Sequence, residues 1–342
     1  MTGGPIAREL TADAAPIMRL PVCVIVPAYN RAHLLERALK GVWSQRPFLP
    51  EQVLVVDDGS DDDTCAMAAR LGAEVIRHPR NRGLSAARNT GLAATRCPWV
   101  ALLDSDDEWL PHHLAHLWEL RGDHALVAAS ALRRGPQRSR DRFHGPTARK
   151  PTVLLSGDEL IYPENMIPVS ASMFRRDVAI EAGGFKARHG VVEDLDLWLR
   201  ILARHTAICS PRVGIVYRVH RGQMSSDLEL MLRGHESAGQ AHRERTDGSS
   251  VPLRRWEGVA AWCRLQEAAR ARRVRGMVRW GLYILARPDR VRGSLRISAV
   301  RVQSAWRAAS TRATPASRDL GVKGATVCAP EVSQRGSPGV PR

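Results

Sequence analysis

The chain has 342 residues, of which 44% are hydrophobic and 25% are charged, and its formal net charge is +16. These fractions are ordinary for a folded protein, and they exclude a chain that is disordered throughout or embedded in a membrane. At this length we expect one substantial domain with roughly 100 residues left for an extension.

The positive charge is concentrated at the C-terminal end. Residues 1–230 hold 29 Lys and Arg against 27 Asp and Glu, whereas residues 231–342 hold 22 against 8. A basic surface confined to this part indicates a separate anionic partner, such as anionic lipid, nucleic acid or an acidic glycan. A solvated basic tail without a partner is the alternative.

Targeting and redox signals favour the cytoplasm. The N-terminus lacks the apolar core of a secretory signal, and no stretch reaches the ~18 apolar residues that a membrane span needs. The 6 cysteines are scattered without a CxxC pair, as expected of reduced thiols. We therefore expect a cytoplasmic protein, with peripheral attachment to the inner face of the membrane as the alternative.

From Pro21 onward, short apolar runs alternate with helical stripes, which is typical of βαβ units. Strands are predicted at 22–26, 52–56, 74–77 and 99–103. Helices are predicted around 34–42, 64–71, 85–94 and 111–120. The pattern predicts an α/β fold with a mainly parallel central sheet flanked by helices.

The middle of the chain is less regular. After an apolar run at 125–132, residues 133–150 have many charges and breakers and no periodicity, which predicts a surface loop. A strand at 172–174, a short helix at 177–182 and a helical stripe over 195–202 follow.

Composition divides the chain into four parts. Residues 252–310 are rich in Arg with interleaved Trp and are expected to be helical in segments, and the Pro, Gly, Ser and Thr content after Ser310 predicts disorder. The predicted parts are a flexible N-terminus (1–20), a catalytic domain (21–230), a basic helical extension (231–310) and a disordered tail (311–342).

Polar residues follow the predicted strands, and ligands of an open parallel sheet bind outside the carboxyl ends of its strands. Pro27, Tyr29 and Asn30 offer a rigid turn and an aromatic face for a base, or form only a loop. Asp58, in the acidic run after the second strand, could accept hydrogen bonds from a ribose or a base. The alternative is that this run only begins a helix, where the helix dipole favours acids.

Two carboxylates follow the fourth strand. Side chains alternate along extended backbone, so Asp104 and Asp106 are predicted to point to the same side. Such a pair can share one hard divalent ion, which completes its coordination with water and substrate phosphate oxygens. An ion of this kind neutralises a diphosphate and makes it a better leaving group.

Further charged residues begin predicted helices. Glu193 and Asp194 precede the stripe over 195–202, where the helix dipole keeps a carboxylate ionised as a general base requires. Simple N-capping is the alternative. Arg82 and Arg88 could reach a diphosphate or a base, or form salt bridges on a helix surface.

Six segments in the same order strongly resemble the inverting family-2 glycosyltransferases. They span about residues 21–225 and leave the basic part uncovered. The segments are Val24-Ile25-Val26-Pro27-Ala28-Tyr29-Asn30, Val55-Val56-Asp57-Asp58-Gly59-Ser60, Asn81-Arg82-Gly83-Leu84-Ser85-Ala86-Ala87-Arg88-Asn89-Thr90-Gly91, Leu102-Leu103-Asp104-Ser105-Asp106-Asp107, Gly183-Gly184-Phe185 and Glu193-Asp194-Leu195-Asp196-Leu197-Trp198-Leu199-Arg200.

The resemblance implies a GT-A fold of two abutting Rossmann-like halves, a nucleotide-sugar donor, a bound Mn²⁺ or Mg²⁺, and inversion at the anomeric carbon. We expect a UDP-sugar as donor and a glycan, a lipid-linked molecule or a small molecule as acceptor. Residues 252–310 are expected to make peripheral contact with an anionic membrane, with packing of these helices on the catalytic domain as the alternative, and no specific nucleic acid is expected.

The resemblance also implies roles for single residues. Pro27, Tyr29 and Asp58 would hold the nucleotide, and Arg88 would lie near its base or diphosphate. Asp106, helped by Asp104, would hold the metal.

On the acceptor side, Asp194 would deprotonate the acceptor hydroxyl and Glu193 would help to shape the acceptor site. Tyr217-Arg218-Val219-His220 resembles a family element from which His220 would reach the metal or the diphosphate. A surface histidine in a basic loop is the alternative.

Two other classes of function are alternatives to a glycosyltransferase. A phosphatase of the haloacid-dehalogenase type needs a second Asp two residues after its nucleophilic Asp, and Gly59 and Ser60 do not fit that spacing. A non-catalytic protein that binds nucleic acid or membrane on a degenerate scaffold is the other alternative. The intact pairs Asp104/Asp106 and Glu193/Asp194 argue against it.

Overall fold

The computed structural model describes residues 18–135, 142–146, 150–155, 167–220, 223–224, 227–246, 264–265 and 274–286. These residues form an α/β fold around one mixed sheet with the strand order β3-β2-β1-β4-β9-β6-β10-β5; β7 pairs with β6, and β8 with β10. The strands are β1 Met18–Ala28, β2 Phe48–Asp57, β3 Glu74–Arg77, β4 Trp99–Leu102, β5 Glu108–Trp109, β6 Leu126–Arg134, β7 Arg142–His144, β8 Thr152–Leu154, β9 Ser172–Arg175 and β10 Ala207–Arg218. The helices are α1 Ala32–Trp43, α2 Thr64–Arg70, α3 Leu84–Ala94, α4 His113–Leu120, α5 Arg176–Glu181, α6 Glu193–Ile201, α7 Leu228–Arg245 and α8 Val274–Ala286.

Strand β1 lies inside the sheet and explains the apolar run that predicted it. Val24 and Val26 point to one face and pack into one hydrophobic cluster, whereas Cys23 and Ile25 point to the other face and pack into a second cluster. A strand that is covered on both faces needs consecutive apolar residues rather than an alternating pattern. The predicted strand is confirmed, and it extends further at both ends.

The longest strand pairings are parallel. Strand β1 pairs in parallel with β2 and β4, β2 pairs in parallel with β3, and β6 pairs in parallel with β10. Strand β9 lies between β4 and β6 and is antiparallel to both. The carboxyl ends of β1, β2 and β4 therefore meet at one edge of the sheet, where the candidate site residues follow them.

The loop predicted at 133–150 is wrong in part. Strand β6 continues to Arg134, and β7 pairs antiparallel with it through Leu132↔Phe143 and Arg133↔Arg142. Pairing between strands uses backbone groups, so a charged and aperiodic sequence can still form a strand at a sheet edge. Residues 136–141 and 147–149 lie outside the described residues.

Two helices belong to the C-terminal part of the described chain. Helix α7 begins after Asp227, whose side chain accepts a hydrogen bond from the Leu230 amide at 2.9 Å. Helix α8 exposes an apolar stripe of Val274, Val278 and Leu282. No described helix is long and apolar enough to cross a bilayer. Residues 247–263, 266–273 and 287–342 of the predicted extension and tail lie outside the described residues.

Candidate active site

The turn after β1 is attached to the loop after β2. Asn30 has a left-handed backbone with φ 54°, its amide donates to Ser60 Oγ at 2.9 Å, and its Oδ1 accepts from the Asp61 amide at 2.9 Å. Pro27 is buried, and Tyr29 is 40% exposed. The Asn30 side chain therefore joins two loops, and the Tyr29 ring is the accessible group on this turn.

Asp58 is buried and organises the loop before α3. It accepts hydrogen bonds from the Arg82 amide at 3.0 Å and the Gly83 amide at 2.7 Å, and it contacts His78 Nδ1 at 2.5 Å. These contacts occupy three of about four acceptor positions on the carboxylate. His78, which the sequence did not single out, also contacts Thr90 Oγ1 through its Nε2 at 2.9 Å. The Arg82 side chain is exposed.

Arg88 is fixed inside the protein, where it is 1% exposed. Its Nη2 donates to Asp104 Oδ1 at 2.7 Å, and its Nη1 donates to Glu193 Oε1. The alternative of a salt bridge on a helix surface is therefore wrong for Arg88. Burial lowers the pKa of Arg88, but Asp104 and Glu193 outweigh it and raise the pKa above its ordinary value, so the guanidinium stays charged.

Asp104 and Asp106 follow strand β4 as predicted, but the expectation that they lie on extended backbone is wrong. Strand β4 ends at Leu102, and the Asp107 amide donates to the Asp104 carbonyl at 3.0 Å, which closes a turn. A tight turn rather than strand alternation therefore places the carboxylates, and both nevertheless line one cavity.

A buried polar cluster holds this turn in place. Ser170 Oγ donates to Asp107 Oδ2 at 2.6 Å and accepts from the Asp104 amide at 3.1 Å, and the Arg218 amide donates to Asp107 Oδ1 at 3.2 Å. Burial raises the pKa of Asp107 well above its ordinary value, as do the charges of Asp104 and Asp106. No sequence pattern predicts the role of Ser170, which lies 63 residues from Asp107 in the chain.

His220 contacts the side chain of Asp106, which lies in this turn. Its Nε2 lies 2.9 Å from Asp106 Oδ2. This contact argues against the alternative of a surface histidine in a basic loop. Within the described residues, no group of three or more His, Cys, Asp or Glu side chains is arranged to hold a metal ion.

The donor set nevertheless fits a divalent ion that shares its coordination with a substrate. Mg²⁺ is commonly held by one or two carboxylates together with substrate phosphates, and adjacent ligands of an octahedral ion with bonds of about 2.1 Å lie about 3 Å apart. The separation of 2.9 Å between His220 Nε2 and Asp106 Oδ2 is compatible with that spacing. Asp104, whose side chain is 25% exposed, lies beside them with Oδ1 engaged by Arg88.

Glu193 and Asp194 open helix α6, and neither caps it through a side chain, because the N-cap residue is Val192. Asp194 Oδ1 accepts from the Leu195 amide at 2.8 Å. Burial raises the pKa of Glu193 to about 7; Arg88 lowers it and Asp194 raises it. Burial also raises the pKa of Asp194, against the lowering effect of Arg88.

Most of these groups line one cavity of about 320 Å³. Its lining includes the charged residues Arg88, Asp104, Asp106, Glu193 and Asp194. The described residues that line it do not include Pro27, Tyr29, Asn30, Asp58 or Arg82. The structure thus divides the predicted site into a sheet edge after β1 and β2 and a charged cavity beside it.

Comparison with known proteins shows a similarity over part of the chain. Residues 23–183, which are 161 of the 342 residues, match the model of Glycosyl transferase family 2. Helix α6 and strand β10, which carry Asp194 and lead to His220, lie beyond the matched segment.

Curated relatives match this chain over part of their length. An uncharacterized protein of Mycobacterium tuberculosis is 31% identical over 208 residues, which are 55% of this chain and 63% of the relative. The pre-mycofactocin glycosyltransferase of the same organism is 31% identical over 220 residues, which are 59% of this chain and 43% of the relative. The chain thus spans less than two thirds of these relatives.

A solved structure supports the fold. The mannosyltransferase PcManGT from Pyrobaculum calidifontis, in complex with GDP-Man and Mn²⁺, superposes with a TM-score of 0.52 over 87% of this chain and 91% of that chain. The two sequences are 21% identical, so the likeness concerns the fold alone.

Proposed function

We propose that this protein is a metal-dependent inverting glycosyltransferase that moves a sugar from a nucleoside-diphosphate sugar to an acceptor hydroxyl. The observation that carries the proposal is the convergence of Asp106 and Asp194 on one cavity, with Arg88 linking the turn of the first to the helix of the second. A phosphate-binding end and a proton-accepting end are what this transfer requires.

The donor would lie along the sheet edge and enter the charged cavity with its diphosphate. Tyr29 offers an exposed ring on which a base could stack, and Asp58 keeps the 81–83 loop in position. The donor of the mannosyltransferase PcManGT is GDP-Man, and its complex contains Mn²⁺. In this chain Asp106 and His220, with Asp104 beside them, would hold Mn²⁺ or Mg²⁺. Such an ion supplies positive charge that stabilises the departing diphosphate.

The transfer itself is a single displacement. The acceptor oxygen forms a bond to the anomeric carbon while the bond from that carbon to the diphosphate oxygen breaks, and the acceptor proton passes to Asp194. Asp194 suits this role better than Glu193 because the Glu193 carboxylate is engaged by Arg88 and 2% exposed. A general base must be ionised and within reach of the proton it removes.

The proposal is tested by screening nucleoside-diphosphate sugars for stabilisation against thermal unfolding, with and without Mn²⁺. A ligand present at 100 times its dissociation constant stabilises by about 2.7 kcal/mol, which gives a clear shift for the right donor. We expect one nucleotide class to stabilise the protein with Mn²⁺ and much less without it. Stabilisation by none of the donors, in either condition, would overturn the proposal.

A further inference from the structure

The charged cavity has a second wall that the transfer reaction does not explain. This wall is aliphatic, and it is built chiefly from Ile167, Val169, Val191, Leu195, Met224 and Met231. Among the described residues that line the cavity there is no Trp or Phe, and the Tyr217 ring lies 5.2 Å from the guanidinium of Arg133. The six side chains of this wall carry no aromatic ring and no hydrogen-bond donor, so they suit a nonpolar group better than the hydroxyl groups of a free glycan.

The wall is firmly attached to the protein core. Ile167 is fully buried and Leu195 is 4% exposed, while Val169, Val191 and Met231 pack against the same hydrophobic cluster. Met224 stands at the rim and is 49% exposed. Methionine is unbranched and adaptable, so the wall combines a rigid floor with a rim that can fit differently shaped nonpolar groups.

The wall lies next to the proposed base. Leu195 directly follows Asp194, and Val191 precedes it by three residues in the segment that leads into α6. A group that packs on this wall is therefore bound close to the hydroxyl that Asp194 would deprotonate. Met231 comes from helix α7, which lies outside the segment that matches the family model.

We propose that this wall binds an aliphatic group of the acceptor. The acceptor is then a glycoside with an aliphatic aglycone or an alcohol with an aliphatic chain. The inference rests on the proposed function. The donor does not explain the wall, since its diphosphate and ribose are polar and the donor-edge residues Tyr29 and Asp58 do not line this cavity. A polyhydroxylated acceptor without an aglycone would lose hydrogen bonds to water against this surface without replacing them.

The test compares n-octyl and methyl β-D-glucopyranoside, which share a headgroup, by calorimetric titration of the full chain below the micelle-forming concentration. Each methylene that is buried contributes ~0.8 kcal/mol, or about fourfold in affinity. Burial of only part of the octyl chain therefore predicts at least about tenfold tighter binding of the octyl compound. Equal affinity for the two compounds would overturn the inference.

Variants locate the bound chain. Met231→Gln puts a polar group on the wall, whereas Leu230→Gln changes the neighbouring residue of α7, which is exposed and does not line the cavity. We expect the affinity ratio of octyl to methyl glucoside to fall several-fold in Met231→Gln and to persist in Leu230→Gln. Val191→Thr keeps the shape of the side chain and should also lower the ratio. It serves as the second variant in case Met231→Gln folds poorly. A ratio unchanged in both wall variants would place the chain elsewhere and contradict the inference.

Two measurements on the same protein distinguish failure of this inference from failure of the proposed function. Stabilisation by nucleotide sugars with Mn²⁺ is measured without any glucoside. If donors stabilise the protein and the octyl chain brings no gain, the inference fails and the proposed function stands. If the octyl chain brings a gain and no donor binds, the proposed function fails.

Discussion

Arg88 donates a hydrogen bond to Glu193, which lies 105 positions later in the chain, and both side chains are 2% exposed. The same guanidinium donates to Asp104 at 2.7 Å. Arg88 thereby ties the turn that carries the candidate metal ligands to the helix that carries the proposed base. A single buried cation therefore contacts both ends of the cavity.

This arrangement predicts a large loss of stability for Arg88→Ala, because the change leaves the buried carboxylate of Glu193 and the partly exposed carboxylate of Asp104 without their counter-charge. Removal of one partner from a buried pair costs about 3–5 kcal/mol. The matched control is Arg204→Ala, which breaks the ion pair between Arg204 and Glu181. The Arg204 side chain is 76% exposed and the Glu181 side chain is 60% exposed. That pair should contribute at most about 1 kcal/mol. Urea unfolding at neutral pH measures both, and equal losses would contradict a structural role for Arg88.

Asp106 and His220 are predicted to support binding of a divalent ion together with the donor diphosphate. We expect Asp106→Ala to abolish Mn²⁺-dependent nucleotide binding and His220→Ala to weaken it at least about tenfold, as loss of a metal ligand or its close partner does. Asp123→Ala, at an exposed carboxylate, is the control. Mn²⁺ titration followed by electron paramagnetic resonance, with and without nucleoside diphosphate, measures the effect. Unchanged Mn²⁺ affinity in Asp106→Ala would remove this residue from the metal site.

The sequence was sufficient where local pattern and local structure coincide. The β-branched run of β1 and the stripe of α6 predicted these elements because each buries the residues that form the pattern. It failed at β7, whose charged residues pair through backbone groups that no side-chain pattern reveals. The periodicity of apolar residues therefore indicates which residues are buried. It does not indicate a strand such as β7, which is paired through its backbone.

The candidate site was predicted as a set of residues but not as a set of contacts. Asp104, Asp106 and Asp194 do line one cavity, as their positions after strands and before a helix suggested. The ion pairs of Arg88 and the hydrogen bonds of Ser170 join residues that are far apart in the chain. Such contacts depend on the tertiary fold, so a single sequence without that fold carries no signal for them.

The proposed base predicts a specific pH dependence of turnover. Burial raises the pKa of Asp194, and the base must be ionised, so turnover should fall with decreasing pH at a higher pH than an ordinary Asp would give. Glu193→Gln removes a neighbouring negative charge and leaves Arg88 less neutralised, and both effects lower the pKa of Asp194. The acidic limb of the profile of kcat against pH should therefore move to lower pH in Glu193→Gln. A limb that stays or moves upward would contradict this assignment.

The basic C-terminal part is predicted to bind anionic membranes through α8. The apolar stripe of this helix is 65% exposed at Val274, 55% at Val278 and 60% at Leu282. Basic residues near an anionic leaflet contribute ~1 kcal/mol each, and 231–342 carries 22 of them. We expect the chain to co-sediment with anionic vesicles at low salt and Val278→Asp to reduce this fraction, whereas Ile180→Asp on α5 should not. Equal pelleting with neutral vesicles would contradict the prediction.

The most direct test of the central claim is the Asp194→Asn variant, because the amide keeps the shape of the side chain and cannot accept a proton from the acceptor. Nucleoside diphosphate release and product formation are measured with Mn²⁺ and the donor found by the thermal screen, beside donor affinity. Asp177→Asn, at an exposed carboxylate on α5, is the control. We predict that Asp194→Asn retains donor affinity and loses transfer by at least about 100-fold, within the range attributed to general bases. Transfer above about one tenth of the wild-type rate in this variant, with donor affinity retained, would contradict the claim.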